Sequence, residues 1–332
     1  MGSIERIAVL GAGGMGTALA LLFHRTGRAV SLWARDPDHA AGIARLRENR
    51  RHLPGVELPA DLALTAEAGE AVRGADLLVV AVPSAYLRAA LRSVALRIPA
   101  GLAALSVVKG IENTTFARPS RIIVETLGPR PVSVLSGPSH AEELARGLPA
   151  SVVVAGADEG LDVRVRDALN QRLFRVYTNS DPVGVELSGA LKNVLGIAAG
   201  ICDGLQLGDN AKSALLTRGL AEIVRFGVDL GALPSTFYGL AGVGDLITTC
   251  FSKFGRNRAV GERIGRGETL GRVLGDMVDV AEGVPTTRSV RDQARERGVD
   301  VPITDELYEV LFRDKPPAAA LMSLMERAPK DE

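Results

Sequence analysis

Close to its start the chain has a short apolar strand, a glycine-rich turn and an apolar helix in direct succession. The turn, Gly11-Ala-Gly13-Gly-Met-Gly16, has the spacing G-x-G-x-x-G. In this arrangement the first glycine permits the tight turn, the second lets the backbone approach a pyrophosphate, and the third lets the helix pack closely on the strand. Amide groups at the start of the helix attract phosphate oxygens. The succession predicts a dinucleotide-binding βαβ unit, and the alternative is a glycine-rich turn that serves packing alone.

Strand-like and helical patterns alternate through the first half of the chain, which is typical of βαβ units around a largely parallel sheet. The strand-like runs end near Asp181-Pro182, and long helical patterns follow. We predict an α/β fold: a Rossmann-like, doubly wound, largely parallel sheet in residues 1–182, and a mostly α-helical substrate and dimerisation domain in residues 183–332. The predicted strands are Ile7–Leu10, Ala29–Trp33, Leu77–Val82, Ala103–Val107, Val132–Leu135 and Val152–Ala155, and the main predicted helices of the second domain cover about 183–202, 210–230 and 257–266.

Charge and cysteine content exclude several classes of function. The 332 residues include 39 basic and 39 acidic side chains, so a polyanion such as nucleic acid is not an expected partner. The two cysteines, Cys202 and Cys250, lack metal-binding or redox spacing, and we predict buried free thiols in a reducing compartment and no metal site. No signal peptide or uncharged apolar run of membrane-spanning length is found. We expect a cytoplasmic protein without stable membrane insertion.

The end of the second predicted strand bears on which dinucleotide binds. An acidic residue at this point would accept a hydrogen bond from a ribose 2′-hydroxyl and select NAD. The first charged residue is instead Arg35, which can pair with a 2′-phosphate, whereas Asp36 precedes Pro37 and is placed to cap the next helix. We therefore expect NADP(H) to be accepted at least as well as NAD(H). Pro83 follows another strand at the same sheet edge and is predicted to line the cofactor cleft.

One helix of the second domain carries a lysine on a face made largely of glycine. At a period of about 3.6 residues, Gly189, Lys192, Asn193, Gly196 and Gly200 share one side of the helix. Glycine inside a helix costs about 1 kcal/mol relative to alanine, so these glycines indicate close approach of another group. That group is either a neighbouring helix, with Lys192 reaching out to water, or a ligand. Together with the dinucleotide motif, the pattern predicts that the glycines make room for nicotinamide and substrate.

Further polar clusters interrupt otherwise apolar segments. Lys109 ends a predicted strand, and Ser139 is predicted to cap a short helix. Asp245 and Thr249 lie in a third cluster. The adjacent Arg256 and Asn257, beside Gly255, suit a phosphate or carboxylate, and the alternative is a basic helix start that faces solvent.

A series of short motifs, in order along nearly the whole chain, resembles the bacterial form of the NAD(P)-dependent sn-glycerol-3-phosphate dehydrogenase family. The resemblance implies a cytoplasmic, usually homodimeric enzyme that reversibly reduces dihydroxyacetone phosphate to sn-glycerol 3-phosphate for phospholipid synthesis. The motifs are Gly11-Ala-Gly-Gly-Met-Gly-Thr-Ala-Leu-Ala20, Leu53-Pro-Gly55, Val108-Lys-Gly-Ile-Glu112, Leu135-Ser-Gly-Pro-Ser-His-Ala-Glu-Glu143, Gly189-Ala-Leu-Lys-Asn193, Gly208-Asp-Asn-Ala-Lys212, Gly244-Asp-Leu-Ile-Thr-Thr-Cys250, Gly255-Arg-Asn-Arg258 and Glu282-Gly-Val284.

The resemblance assigns proton transfer to Lys192, and we group Lys109 and Asp245 with it as the predicted catalytic residues. Asn193 and Thr249, from the same polar clusters, are added to the substrate site. The predicted substrate-binding residues are Lys109, Gly137, Ser139, Lys192, Asn193, Asp245, Thr249, Gly255, Arg256 and Asn257. The predicted cofactor-binding residues are Gly11, Gly13, Gly14, Met15, Gly16, Arg35, Pro83, Lys109, Ala141, Arg256, Val280 and Glu282.

Three departures from the family pattern affect contacts rather than charged groups. Gly14-Met15 replaces a common Ser-Trp pair, and His52 stands where an aromatic ring is usual. Gly255 stands where serine is common, so only its backbone N–H is expected to serve the phosphate.

Other functions share parts of this pattern. A 3-hydroxyacid dehydrogenase or an imine or ketone reductase can combine the same fold with a helix lysine beside an asparagine. A lactate-type reading would make His140 the base. A non-catalytic dinucleotide sensor is the alternative from another class, although it has no need of a proton donor.

Overall fold

The structure is a computed structural model that describes residues 2–277 and 280–328. The described chain forms two compact units. The first unit comprises the chain up to Lys109 together with Ala117–Glu186, and the second comprises Gly110–Phe116 together with the chain from Leu187 onward. The binding roles assigned above to residues 1–182 and 183–332 stay predictions.

The first unit is built on an eight-stranded sheet with the order β3-β2-β1-β4-β5-β6-β7-β8. Neighbouring strands are parallel except for β6 and β7, which pair antiparallel, so β7 and β8 run against the other six. The predicted α/β class with a largely parallel sheet is confirmed. The strands are β1 (Arg6–Leu10), β2 (Ala29–Trp33), β3 (Ala63–Thr65), β4 (Leu77–Val80), β5 (Ala104–Ser106), β6 (Val132–Ser136), β7 (Ala150–Gly156) and β8 (Phe174–Asn179).

Helices cover both faces of this sheet. Along β1, Ile7 and Val9 enter one hydrophobic cluster while Ala8 and Leu10 enter the other, so the strand is buried on both sides. This double burial explains why the central strands are continuous apolar runs. The helices of the first unit are α1 (Gly14–Arg25), α2 (Pro37–Leu46), α3 (Ala68–Ala71), α4 (Ser84–Val94), α5 (Pro119–Leu127), α6 (Ala141–Ala145) and α7 (Glu159–Leu169), with a short 3₁₀ turn at Ala95–Arg97.

Within its described residues, the second unit contains helices and no strand. A π-helical segment, Leu240–Gly244, leads directly into one of them. The remaining α-helices of the chain are α8 (Pro182–Gly204), α9 (Gly208–Asp229), α10 (Pro234–Phe237), α11 (Asp245–Phe251), α12 (Arg256–Gly265), α13 (Leu270–Gly275), α14 (Gly283–Arg297), α15 (Pro302–Phe312) and α16 (Pro317–Met325).

Helix α8 is long and apolar enough to cross a membrane by length and composition. Its most apolar stretch is entirely buried inside the fold, however, and the core helix of a soluble protein meets the same criteria. The helix is therefore only weak evidence for a membrane span.

The glycines of α8 form a backbone-to-backbone contact with α12. A Cβ atom on Gly200 would collide with the Arg258 carbonyl, and one on Gly261 of α12 would collide with the Ile197 carbonyl. A Cβ on Gly196 would lie 2.8 Å from the Thr249 methyl group. The prediction that this face makes room for nicotinamide and substrate is therefore wrong for Gly196 and Gly200. Both glycines make room for neighbouring protein, which is the packing alternative.

Candidate active site

The glycine turn after β1 has the steric design that its motif predicts. Gly11 has a φ of +112°, and a Cβ on it would lie 2.7 Å from the Ala81 carbonyl oxygen. A Cβ on Gly16 would collide with the Gly11 carbonyl. Gly13 differs, because no atom lies within 4 Å of the position of its Cβ. Gly13 has no side chain and borders open space, so a pyrophosphate could approach its backbone closely.

Helix α1 begins directly at this turn. Gly13 is its N-cap and offers no side-chain cap for the first amide groups. An anion at the N-terminus of a helix satisfies such amides and is favoured by the helix dipole. The strand order reverses between β1 and β4, which is where ligands bind in open α/β sheets. The residues of the first unit therefore fit a dinucleotide.

Other predicted cofactor residues lie around the same sheet edge. Arg35 is exposed just beyond β2, while the Asp36 carboxylate caps α2 by accepting from the Asp38 N–H at 3.0 Å and from that of His39 at 3.4 Å. The capping interpretation of Asp36 is confirmed, and the carboxylate is engaged within the chain. Pro83 occupies the N-cap position of α4, directly after the loop that follows β4.

The turn also contacts other parts of the first unit. A Cβ on Gly14 would lie 3.5 Å from the Ala141 methyl group at the start of α6, and 2.9 Å from the His52 carbonyl oxygen. Met15 is partly buried and packs against the larger core cluster of this unit.

Lys109, Gly137 and Ser139 meet at the ends of β5 and β6. The Lys109 ammonium donates to the Gly137 carbonyl at 2.7 Å and to the Ser139 hydroxyl at 3.0 Å. The Ser139 hydroxyl in turn donates to the Gly137 carbonyl at 2.9 Å. The predicted N-cap role of Ser139 is wrong, because α6 begins at Ala141 with His140 as its N-cap. The hydroxyl is turned toward Lys109 instead.

In the second unit, Lys192 of α8 is brought together with Asp245 and Thr249 of α11. The Lys192 ammonium lies 2.6 Å from an Asp245 carboxylate oxygen and donates to the Thr249 hydroxyl at 2.7 Å. The Lys192 and Asp245 side chains are only 7% and 3% exposed. Because water screens such a buried pair little, the carboxylate attracts the ammonium strongly and fixes its direction. The π-helical segment that precedes Asp245 is a local irregularity of a kind found frequently at functional sites.

A second contact links three helices of the same unit. The Asn257 side-chain amide of α12 donates to the Asn193 side-chain oxygen of α8 at 3.0 Å, and its own oxygen accepts from the Gly283 N–H of α14 at 2.9 Å. The preceding residue Glu282 is the N-cap of α14, and Val280 is half-buried just before it. Hydrogen bonds to α8 and to α14 therefore hold the Asn257 side chain in place.

The first turn of α12 carries the predicted anion-binding residues. Arg256 is exposed at the first position of the helix, which is compatible with anion binding and with the solvent-facing alternative, so its anion-binding role stays a prediction. The Gly255 N–H donates to the Ser252 carbonyl at 3.1 Å, so it is engaged within the chain and not offered to a phosphate. Arg258 faces protein rather than solvent, because its Nε donates to Asp203 at 2.7 Å.

Sequence reasoning missed two residues that support the glycine turn, Asn49 and Thr17, which donate to the Ala12 and Gly13 carbonyls. Asn49 is fully buried and donates to the Ala12 carbonyl at 2.9 Å and to the Thr17 hydroxyl at 2.8 Å. Its partners lie 37 and 32 positions away along the chain. The available signal was an asparagine shortly before the Leu53-Pro-Gly55 motif, which gives no indication of these contacts.

Neither metal nor thiol chemistry has a basis in the described residues. Among them, no group of three or more His, Cys, Asp or Glu side chains could hold a metal ion. Cys202 and Cys250 are free and buried as predicted. Burial raises the pKa of both thiols, that of Cys250 to about 12, so both stay protonated and poorly nucleophilic.

Two family models match most of the chain. One, described as the NAD-dependent glycerol-3-phosphate dehydrogenase N-terminus, matches residues 6–162, and the corresponding C-terminus model matches residues 181–322. A glycerol-3-phosphate dehydrogenase (NAD(P)+) of Moorella thermoacetica is 48% identical over 323 residues, or 97% of this chain and 96% of the relative. The chain belongs to the NAD-dependent glycerol-3-phosphate dehydrogenase family. The resemblance inferred from the motifs is thus confirmed.

Solved structures separate this family from others that share its fold. The glycerol-3-phosphate dehydrogenase of Coxiella burnetii is 35% identical and superposes with a TM-score of 0.93 over 98% of this chain and 99% of that one. A 3-hydroxyisobutyrate dehydrogenase of Mycobacterium tuberculosis is 15% identical, with a TM-score of 0.51 over 98% of this chain and 100% of that one. The second likeness shows the common fold alone.

Proposed function

We propose that this chain is an NAD(P)-dependent sn-glycerol-3-phosphate dehydrogenase that reversibly reduces dihydroxyacetone phosphate. The observation that carries the proposal is the buried Lys192 ammonium, held 2.6 Å from Asp245 and 2.7 Å from Thr249. Reduction of a ketone requires a proton at oxygen as hydride reaches carbon, and a buried, oriented ammonium suits that need. Membership of the glycerol-3-phosphate dehydrogenase family identifies the expected substrate.

Lys192 acts as the proton donor in the reducing direction. Its ammonium donates a hydrogen bond to the substrate carbonyl oxygen and transfers the proton as that oxygen becomes an alkoxide. In the reverse direction the neutral amine takes the proton back. A bound nicotinamide dinucleotide supplies the hydride. Asp245 and Thr249 hold the Lys192 side chain so that the ammonium keeps one direction during the transfer.

The remaining predicted residues divide between the substrate phosphate and the dinucleotide. Arg256 provides a cationic group of the kind that a phosphate dianion requires. Asn193 and Asn257 keep the first turn of α12 in register with α8 through their 3.0 Å hydrogen bond. The Ser139 hydroxyl and Gly137 carbonyl position the Lys109 ammonium.

The cofactor preference rests on the end of β2. Arg35 is exposed there, and the Asp36 carboxylate is occupied in capping α2. Asp36 therefore offers no free carboxylate to a ribose 2′-hydroxyl, whereas the Arg35 guanidinium can pair with a 2′-phosphate. For these two reasons NADP(H) is used at least as well as NAD(H). The enzyme works in the cytoplasm as a homodimer, as the family pattern implies.

The decisive experiment is turnover with Lys192→Met. We expect kcat for dihydroxyacetone phosphate, followed by the absorbance of NADPH, to fall by about 10²–10⁴-fold, because the general acid is lost. Lys212→Met is the matched control, since Lys212 is equally buried in the same unit but pairs with Asp203. That variant should keep turnover within a few-fold.

Three results would contradict the proposal. Near-normal turnover of Lys192→Met would remove the proton-donor role. Faster turnover of 3-hydroxyacids than of sn-glycerol 3-phosphate would favour the other dehydrogenase class. Binding of NADPH without turnover of any of these substrates would favour a sensor.

A further inference from the structure

Hydrogen bonds within the first unit fix two successive carbonyl groups of the glycine turn. The Asn49 side-chain amide donates to the Ala12 carbonyl at 2.9 Å, and the Thr17 hydroxyl donates to the Gly13 carbonyl at 2.9 Å. The two side chains are joined, because the same Asn49 amide group donates to the Thr17 hydroxyl at 2.8 Å. Both side chains are fully buried.

Fixing these carbonyls also fixes the amides that follow them. In a planar trans peptide, the C=O of one residue and the N–H of the next point in opposite directions. The bond from Asn49 to Ala12 therefore directs the Gly13 N–H away from the buried side, and the bond from Thr17 to Gly13 does the same for the Gly14 N–H. No atom lies within 4 Å of the position that a Cβ on Gly13 would take.

Hydrogen bonds within the loop that contains Asn49 stabilise the loop itself. The Asn49 side-chain oxygen accepts from the His52 N–H at 3.3 Å, and the Glu48 carboxylate accepts from the Gly55 N–H at 2.8 Å. The His52 carbonyl lies 2.9 Å from where a Cβ on Gly14 would be, so only glycine leaves room for it. Asn49 thus makes three of the four hydrogen bonds open to its amide and is fixed on every side.

We propose that Asn49, acting through Thr17, is a positioning residue for dinucleotide binding. It holds the Gly13 and Gly14 amides in the direction that a pyrophosphate requires before the cofactor arrives. The inference rests on the proposed function, because it takes the glycine turn as the cofactor site. It predicts that loss of the Asn49 donor weakens the cofactor complex and leaves the chemical step intact.

The test measures the dissociation constant of NADPH for the full-length protein by fluorescence titration. Asn49→Asp keeps the shape but cannot donate, and Thr17→Val removes the hydroxyl at similar volume. Each should raise the NADPH dissociation constant about tenfold, since a carbonyl of the turn loses its side-chain donor and the amide that follows it is held less firmly. The kcat at saturating NADPH and the KM for dihydroxyacetone phosphate should stay within about twofold of the wild type.

Two controls separate positioning from general destabilisation. Thr17→Ser keeps the hydroxyl and should bind NADPH like the wild type. The comparison of Thr17→Ser with Thr17→Val therefore tests the inference even if Asn49→Asp fails to fold. Ser133→Ala removes another fully buried hydroxyl of the first unit, one that donates to Asp162, and should lower stability without changing NADPH affinity.

NADPH affinity within twofold of the wild type in folded Asn49→Asp and Thr17→Val would overturn the inference. So would a fall in kcat with unchanged NADPH affinity. A wild-type protein that binds NADPH but turns over no substrate would overturn the proposed function instead, and the dissociation constants would still decide the role of Asn49.

Discussion

Two buried lysines of the second unit have different polar partners. Lys192 lies between the Asp245 carboxylate and the Thr249 hydroxyl. Lys212 donates to both oxygens of Asp203 at 2.9 Å, and its ammonium lies 4.4 Å from the centre of the Phe251 ring. Asp203 is also bonded to Arg258 of α12, so Lys212 belongs to an ionic link between α8, α9 and α12. We assign Lys212 a structural role.

Gly14 is a position where a serine should be unfavourable in this chain. A Cβ there would lie 2.9 Å from the His52 carbonyl oxygen, and backbone cannot move aside as a flexible side chain can. We predict that Gly14→Ser weakens NADPH binding several-fold, because the loop around His52 must shift away from the turn. The dissociation constant of NADPH checks this.

The control for Gly14→Ser is Gly42→Ser on α2, where no atom lies within 4 Å of the Cβ position. It should bind NADPH like the wild type. Unchanged or tighter binding by Gly14→Ser would show that the loop position does not matter to the cofactor.

At the scale of single residues, the sequence predicts chemistry better than contacts. Lys192 and Asp245 were grouped in one predicted site, and the steric roles of Gly11 and Gly16 followed from their motif. The roles of Asn49, Ser139 and Gly255 were not foreseen. Each depends on which partner the folded chain brings within 3.5 Å, and spacing along the sequence does not determine that.

The caps of helices α2 and α15 show which contacts of a secondary structure element can be predicted from the sequence. Asp36 caps α2 from the adjacent position, and the sequence reveals it. Helix α15, in contrast, is capped by Glu222 of α9, which accepts from the Ile303 N–H at 2.8 Å, the Thr304 N–H at 3.0 Å and the Thr304 hydroxyl at 2.6 Å. The capping residue lies about 80 positions before the helix that it serves, so no local pattern could have predicted it.

The Glu222 cap makes stability depend on pH. Burial raises the pKa of Glu222 above its ordinary value of 4.5, despite the hydrogen bonds from Thr304 and Ile303. The folded state therefore binds this proton more readily than the unfolded state, and stability falls as pH rises from about 4.5 through the raised pKa. We predict that Glu222→Gln lacks this dependence. The free energy of unfolding of the variant should therefore increase relative to that of the wild type as the pH rises.

Urea unfolding of both proteins at pH 4.5 and pH 7 measures the effect. The exposed Glu296 provides the control, because Glu296→Gln should follow the wild type at both pH values. Parallel pH profiles for Glu222→Gln and the wild type would contradict the prediction.

For the whole molecule, periodicity was enough to predict the α/β class and the change to a helical second half. It missed β3 and β8. Strand β3 has only three residues, and β8 has one exposed face, so its residues alternate between buried and exposed in place of the continuous apolar run of the central strands. The antiparallel pairing of β6 with β7 was also not predicted, since strand direction follows from the path of the chain between strands.

Binding at the glycine turn should be visible throughout the first unit. A ligand that binds only the folded state at 100 times its dissociation constant stabilises that state by about 2.7 kcal/mol. We predict that NADPH at this concentration slows hydrogen exchange of the β1, β2 and β4 amides by up to about 100-fold where exchange requires unfolding. Hydrogen-exchange mass spectrometry measures this.

Inorganic phosphate at the same concentration is the control for that measurement, and it should slow exchange far less because it lacks the nucleoside contacts. Unchanged exchange of β1, β2 and β4 in saturating NADPH would mean that the cofactor does not bind at the turn.

The two buried thiols have a practical consequence for measurements in solution. Cys202 and Cys250 are the only cysteines in the sequence, and the raised pKa of each keeps it protonated at neutral pH. An accessible thiolate is the nucleophile that reacts with maleimide and similar reagents, so the native protein should take up little label. A cysteine introduced at an exposed position would then carry a fluorophore or spin label alone, and the wild-type sequence is a suitable background for such probes without prior removal of its own cysteines.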